Sequence, residues 1–236
     1  MKLSVVVPAY NEEKLLAAAL EHVRRGMEVF AGCGWDCELI VCDNNSTDHT
    51  PGIARAAGAR VVFEPVNQIS RARNAGAAAA SGEWLLFVDA DSSPSPQLFA
   101  DVLEKIESSS CIGGGSTVAM PGGRTDVRLW TALWNAFSRA TSWAAGSFFF
   151  CEAGVFRELG GFSERLYAAE ELDLSRRLKR RGRFVILSRH PLATSDRKAR
   201  LYSWREHAAF MTRFIFRGIR TLRRREDCSI WYDGRR

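Results

Sequence analysis

A single doubly wound α/β domain with a mostly parallel sheet is the fold class this 236-residue sequence predicts, and three observations carry it. Short β-branched or apolar runs at 3–8, 37–42, 60–63 and 84–88 alternate with stretches of helical periodicity, which is the signature of successive βαβ units. The run Trp84-Leu85-Leu86-Phe87-Val88 is apolar without interruption, as a central strand covered on both faces must be. It ends in Asp89-Ala90-Asp91, so charge stands just beyond the carboxyl end of a buried strand, where ligands of open α/β sheets bind.

The first strand leads through Pro8-Ala9-Tyr10-Asn11-Glu12-Glu13 into a helix whose apolar positions Leu15, Leu16, Leu20, Val23 and Met27 share a face, with Asn11 as its expected cap. That turn holds no glycine. It therefore lacks the fingerprint that brings a dinucleotide pyrophosphate onto a helix, and an NAD-type oxidoreductase is disfavoured. Cys37 to Cys42 forms a second strand, Asp43 to Asp48 a polar loop into a helix over 50–57, and Arg60 to Phe63 a third strand. The Ala-rich stretch from Ser70 to Ser81 predicts a helix with Arg71, Arg73 and Asn74 in its first turns.

Beyond Asp91 the pattern is less regular. It predicts a helix at 96–108, a strand at 113–120, and a helix with Trp130, Leu133, Trp134, Phe137 and Thr141 on one face. A strand at 148–150, a turn at Gly160-Gly161-Phe162 and a helix over 170–181 follow, the last with acids first and bases last, as its macrodipole favours. A strand at 184–187 and a basic amphipathic helix over 203–225 complete the chain. The expected division is a domain over 1–195 and a basic C-terminal helical extension over 196–236.

Composition narrows the class. With 46% hydrophobic and 25% charged residues the chain is ordinary globular material. Its start runs straight into a strand, and no apolar run reaches spanning length, so the expectation is a cytoplasmic protein. Cysteines 33, 37, 42, 111, 151 and 228 form no C-x-x-C pair and the four histidines are scattered, which speaks against a zinc site or a disulfide framework. Residues 196–236 hold twelve Lys/Arg against five Asp/Glu, leaving 21 basic and 22 acidic residues in the rest. A basic tail can meet an anionic membrane, a polyphosphate or nucleic acid, and the acidic character of the rest argues against nucleic acid. The C-terminal helix is thus a candidate for docking at the inner membrane face, with packing on the domain as the alternative; the Trp130, Trp134 and Phe137 stripe belongs to the same surface or to an acceptor pocket.

Four polar clusters fall at strand ends or helix starts: Asp43 to Asp48, Arg71 with Asn74, Asp89 with Asp91, and Glu170-Glu171-Leu172-Asp173. Each has a bland account as turn, cap or first-turn residues, Asp89 and Asp91 as a lead-in to the helix opening at Ser92 to Pro96. Together they describe a site for a nucleoside diphosphate and a hard cation. A carboxylate can pair with base N–H groups, an Arg with phosphate oxygens, and paired acids with Mg²⁺ or Mn²⁺.

Val5 to Glu13, Val41 to Asp48, Arg71-x-x-Asn74-x-Gly76, Phe87-Val88-Asp89-Ala90-Asp91, Gly160-Gly161-Phe162 and Glu170-Glu171-x-Asp173-Leu174 resemble, in order, the landmarks of family 2 glycosyltransferases with the GT-A fold. The resemblance covers residues 3 to about 187. It implies inverting transfer of a sugar from a UDP- or GDP-linked donor, with Pro8, Tyr10 and Glu12 lining the nucleotide pocket, Asp43 on the base, and Arg71 with Asn74 toward the diphosphate. Asp91 and Asp89 match the metal motif for Mn²⁺ or Mg²⁺, Asp91 as the direct ligand, and His190 is a candidate late ligand whose alternative is a structural histidine. Glu171 occupies the general-base position, where the commonest family pattern has Asp, so Glu170 and Asp173 stay open as alternatives. Thr194-Ser195-Asp196-Arg197-Lys198 resembles a Thr-Ser-x-Arg-Arg segment that closes on the site, which makes Arg197 a candidate phosphate contact. The Gln-x-x-Arg-Trp motif and membrane spans of processive members are absent from the sequence, which implies single transfer. Rival readings are transfer to a polyprenyl phosphate and a non-catalytic nucleotide-sugar-binding protein of the same fold.

Overall fold

The computed structural model describes residues 1–122, 125–195, 201, 212–213, 218–228 and 232. Eight strands form one sheet: β1 (Lys2–Ala9), β2 (Asp36–Asp43), β3 (Arg60–Phe63), β4 (Trp84–Val88), β5 (Ser92–Ser93), β6 (Gly113–Ala119), β7 (Phe148–Glu152) and β8 (Phe184–Thr194), in the spatial order β3-β2-β1-β4-β7-β6-β8-β5. The first four pair in parallel, Val5 of β1 lying between Leu39 of β2 and Leu86 of β4. β7 then runs antiparallel to both β4 and β6, and β6 pairs in parallel with β8.

The helices are α1 (Leu16–Gly32), α2 (Thr50–Ala56), α3 (Ile69–Ala79), α4 (Pro96–Glu107), α5 (Thr125–Thr141), α6 (Ala153–Glu158), α7 (Glu170–Leu178) and a short α8 (Ile219–Leu222) before a 3₁₀ turn at Arg225–Cys228. Because side chains alternate across a strand, the central strands divide their residues between two cores. Leu3, Val5, Val7, Val41, Leu86 and Val88 face α1 and α4, whereas Val6, Ile40, Leu85, Phe87 and Phe149 face α3, α6 and α7. Aromatic rings fill both layers, among them Phe87 edge-on to Phe162 with centroids 5.0 Å apart. Each fully buried side chain of this size stabilises the fold by about 1.5–3 kcal/mol. α3 lies so close to β1 that a Cβ on Gly76 would sit 2.4 Å from Cγ1 of Val6, which accounts for the glycine of the Arg-x-x-Asn-x-Gly pattern.

Several expectations are corrected. Asn11 does not cap α1, which begins at Leu16 without a side-chain cap. Its φ of 51° places Asn11 in the left-handed region that Asn tolerates, and its side chain turns to the neighbouring loop. β8 continues through polar residues and Pro191 to Thr194, beyond the expected end at 187. This is a strand whose last residues pair only with the two-residue edge strand β5 and the end of β6, where a proline is tolerated. The expected helix over 203–225 does not run unbroken, since Gly218 at φ 54° interrupts it and α8 ends at Leu222. Trp204, Ala208, Met211 and Ile215 of its expected apolar face lie outside the described residues. No helix among the described residues is long and apolar enough to cross a membrane.

Candidate active site

β1 has β2 on one side and β4 on the other, so the order of strand addition reverses at β1 and leaves, at its carboxyl end, a crevice of the kind where α/β sheets bind ligands. The crevice is lined by Pro8, Ala9, Tyr10 and Glu12 after β1, Asn44 after β2, Ile69 at the start of α3, and Asp89, Ala90 and Asp91 after β4. Its loops are laced by side chain to backbone hydrogen bonds. The Asn11 amide donates to Ser46 Oγ at 3.0 Å, and Asn11 Oδ1 accepts from the Thr47 amide at 2.8 Å. Asp48 accepts from the amides of Thr50 and Glu13; burial would raise its carboxyl, but these bonds and the Thr50 hydroxyl win and hold it below the usual carboxylate range. Asp43 is buried and accepts from the Ser46 amide at 3.0 Å. Asn44 donates to the carbonyls of Glu64 and Val66 and accepts from the Gln68 amide at 2.9 Å, so it fastens the approach to α3.

The residue that organises the site is Arg73. It is 3% exposed and donates to Asp89 Oδ1 at 2.9 Å, to Glu170 Oε1 at 2.7 Å and to the Gly146 carbonyl at 2.8 Å, with the Phe162 ring 5.3 Å from its guanidinium. Burial alone would weaken the cation, but Asp89 and then Glu170 outweigh it and keep it charged. The same side chain thus reaches the acids after β4 and the acids that open α7. Glu170 is buried on this bridge. Glu171 shows some surface, yet its carboxyl is surrounded by protein, and burial followed by the charge of Glu170 pushes it up to about 8. Helical phase carries a signal for Arg73: it shares the buried stripe of α3 with Ala72, Gly76 and Ala77, and a charge on an apolar stripe calls for a partner.

Other expected site residues are held elsewhere. Arg71 is about a third exposed and paired with Glu64 at 3.2 Å and Glu164 at 2.8 Å. Asn74 fastens the turn after α6: Oδ1 accepts from the Phe162 amide and Nδ2 donates to its carbonyl, both at 2.9 Å. Asp173 accepts from Arg177 at 2.8 Å, and Arg177 in turn donates to the carbonyls of Leu159 and Gly161, so this acid secures the same turn from the other side. His190 lies on β8 with Nδ1 3.0 Å from buried Asp101 of α4. It is four residues, or about 13 Å along the strand, from Thr194, the partner of Ser92 next to Asp91. Arg197 lies outside the described residues. One contributor has no signal in the sequence: Tyr232, whose hydroxyl accepts from the Ile69 amide at 3.3 Å and whose ring meets Tyr167 edge-on.

Among the described residues no group of three or more His, Cys, Asp or Glu is placed to hold a metal. Two carboxylates on one wall of the crevice nonetheless fit Mg²⁺ or Mn²⁺, which take one or two protein acids and leave the remaining positions to water and phosphate oxygens.

Against this geometry, the family model described as Glycosyl transferase family 2 matches residues 4–159. An uncharacterized glycosyltransferase of Mycobacterium tuberculosis is 37% identical over 91 residues, 39% of this chain and 37% of its own length. A dolichol-phosphate mannosyltransferase of Pyrococcus furiosus is 28% identical over 124 residues, 49% of this chain and 33% of its own. The chain thus spans about a third of the length of these curated relatives. Among solved structures, Staphylococcus aureus TarS 1–349 in complex with UDP-GlcNAc superposes with a TM-score of 0.66 at 21% identity, covering 99% of this chain and 71% of that one. The mannosyltransferase PcManGT from Pyrobaculum calidifontis, in complex with GDP-Man and Mn²⁺, gives 0.67 at 19% identity over 92% of this chain and 64% of that one. At such identities the likeness is one of fold.

Proposed function

The chain belongs to glycosyl transferase family 2 and has the GT-A fold, and from that premise we propose that it transfers single sugars from a nucleotide-diphosphate sugar to an acceptor hydroxyl, inverting the anomeric carbon, with Mn²⁺ or Mg²⁺ as cofactor. The observation that carries the reading is the Arg73 bridge, at 2.9 Å to Asp89 and 2.7 Å to Glu170. Through it the acids suited to a donor's cation and those suited to an acceptor's proton lie within one side chain's span.

On this reading Pro8, Tyr10 and Glu12 hold the nucleotide and Asp43 accepts from a base N–H. Asp91 and Asp89 would hold the cation, which when bound neutralises charge on the departing diphosphate. Glu171 takes the acceptor's hydroxyl proton while that oxygen bonds to the anomeric carbon; the carbon–diphosphate bond breaks and its electron pair leaves with the nucleoside diphosphate. A carboxyl raised to about 8 takes a proton only in its ionised form, so on this reading turnover rises with pH toward about 8. Glu170, paired with Arg73, and Asp173, paired with Arg177, serve as supports. Arg71 would reach a phosphate by releasing Glu64 or Glu164.

Calorimetric titration with UDP and GDP tests the donor site. Mn²⁺ is expected to tighten nucleotide binding in the wild type and not in Asp91→Asn; equal affinity with and without the cation in both proteins would remove the metal role. Likeness to a dolichol-phosphate mannosyltransferase supports a second reading, in which the acceptor is a polyprenyl phosphate. A phosphate acceptor oxygen carries no proton to remove at neutral pH, so on that reading Glu171→Gln keeps its turnover.

A further inference from the structure

α5 packs Trp134 against the core, yet it also turns polar side chains inward and leaves large apolar ones outside. Asn135 faces the sheet, donating to the Val118 carbonyl at 2.8 Å and accepting from the Val118 amide at 2.9 Å, as a neighbouring strand would. Ser138 is buried and donates to the Trp143 carbonyl at 2.6 Å. On the opposite side Leu129, Trp130, Leu133 and Phe137 are 62, 72, 53 and 43% exposed. Their spacing makes one continuous stripe along the helix, and an apolar stripe of this kind on a protein surface marks a contact.

The charges beside the stripe say what that contact is. Arg128 and Arg139 are exposed and three turns apart, so they share one line along the helix, separated from the stripe by the exposed Ala132 and Ala136. Lys179, which follows α7, donates to the Thr141 carbonyl and adds its charge at the C-terminal end of α5, with exposed Arg176 and Arg180 nearby in sequence. Asp126, in the first turn, is the acid of this helix. A second copy laid symmetrically on the stripe would bring these cations toward their own equivalents. An anionic lipid surface takes up both the apolar stripe and the nearby cations.

We propose that α5 is an interfacial helix that lies on an anionic lipid bilayer, with Leu129, Trp130, Leu133 and Phe137 at the boundary between headgroups and acyl chains and Arg128, Arg139 and Lys179 against lipid phosphates. Only four residues separate the end of α5 from Gly146, whose carbonyl accepts from Arg73. A bilayer under α5 therefore holds the headgroup region beside the candidate active site. The proposal does not rest on sugar transfer, and a chain without transferase activity would still bind lipid this way.

Co-sedimentation of the full chain with phosphatidylcholine vesicles, and with vesicles of equal phosphatidylcholine and phosphatidylglycerol, tests it. The wild type is expected to pellet with the anionic vesicles and to be released at high salt. Trp130→Ser combined with Leu133→Ser is expected to lower partitioning by about tenfold or more, and Arg128→Gln with Arg139→Gln to remove most of the preference for anionic lipid. Unchanged melting temperatures would show that the variants are folded. Absence of binding by folded wild type would overturn the proposal, as would equal binding by the Trp130/Leu133 variant, which would move the contact to the basic tail. A concentration-dependent dimer abolished by that variant would overturn it too, by assigning the stripe to a second copy.

Discussion

α3 and α5 both depart from the rule that a surface helix buries its apolar residues and exposes its charges, and they do so in opposite directions. α3 buries Arg73 on the stripe formed by Ala72, Gly76 and Ala77, whereas α5 exposes Leu129, Trp130, Leu133 and Phe137. Each arrangement is unfavourable taken alone, since a buried cation needs partners and exposed apolar surface needs cover. In α3 the chain supplies what is needed through Asp89, Glu170 and the Gly146 carbonyl. In α5 the stripe stays in contact with solvent. An exception answered inside the molecule points to chemistry there, and one left open points to something that meets the molecule from outside.

The largest effect is expected where the exception is internal. Arg73→Met leaves Asp89 and Glu170 without their shared cation and should lower stability by about 3–5 kcal/mol in chemical denaturation, the range for breaking a buried pair. Arg73→Met combined with Glu170→Gln should recover part of that loss, because one stranded charge is gone. If single and double variants are equally unstable, the bridge is not what distinguishes α3.

Next is Glu171→Gln, expected to reduce transfer to a hydroxyl acceptor by about 10² or more. It also carries a pH signature. A carboxyl raised to about 8 in the folded chain contributes stability that is complete below its ordinary value of 4.5 and is lost as pH rises through about 8. Glutamine does not ionise, so in metal-free buffer the variant should melt above the wild type beyond pH 8, by about 2–4 °C for each kcal/mol recovered. Parallel melting curves across the whole pH range would place the Glu171 carboxyl in water. Asn74→Ala, which unfastens the turn at Phe162, should cost about 1–3 kcal/mol in the same denaturation assay and leave UDP affinity unchanged. The smallest change is expected from Trp130→Ser with Leu133→Ser, within about 0.5 kcal/mol per site in urea. A larger loss would mean that the outer face of α5 is packed, and the contrast with α3 would fall.

Much of the frame is legible in the sequence because one signal suffices for each part. Trp84 to Val88 reads as a central strand since every residue is apolar, and all five are buried. Ser95-Pro96 reads as a helix start, and Ser95 Oγ accepts from the Leu98 amide at 3.2 Å. What escapes the sequence depends on partners far along the chain. The resemblance points to Arg71, but helical phase turns Arg73 inward, and the partners of either Arg are known only once the sheet is assembled. The stripe on α5 looks the same in sequence whether it faces the core or solvent; Asn135 and Ser138, its polar inward residues, decide the matter. Nothing in the sequence pairs His190 with Asp101, which β8 and α4 bring together from 89 residues apart. Asn11 looks like a cap because cap and left-handed turn favour the same residue type.

The Arg73 to Glu170 bridge joins positions 97 residues apart. At a synthesis rate of about 5–20 residues per second, α3 emerges about 5–20 s before the acid that will meet it. During that interval the parallel half of the sheet has a cation at its interior and Asp89 alone to offset it. A cation with one partner is costly to bury, so the Arg73 side chain favours hydration until α7 has been made. A nascent chain stalled between α3 and α7 would hold the Arg73 side chain without Glu170, the second carboxylate it pairs with in the finished fold.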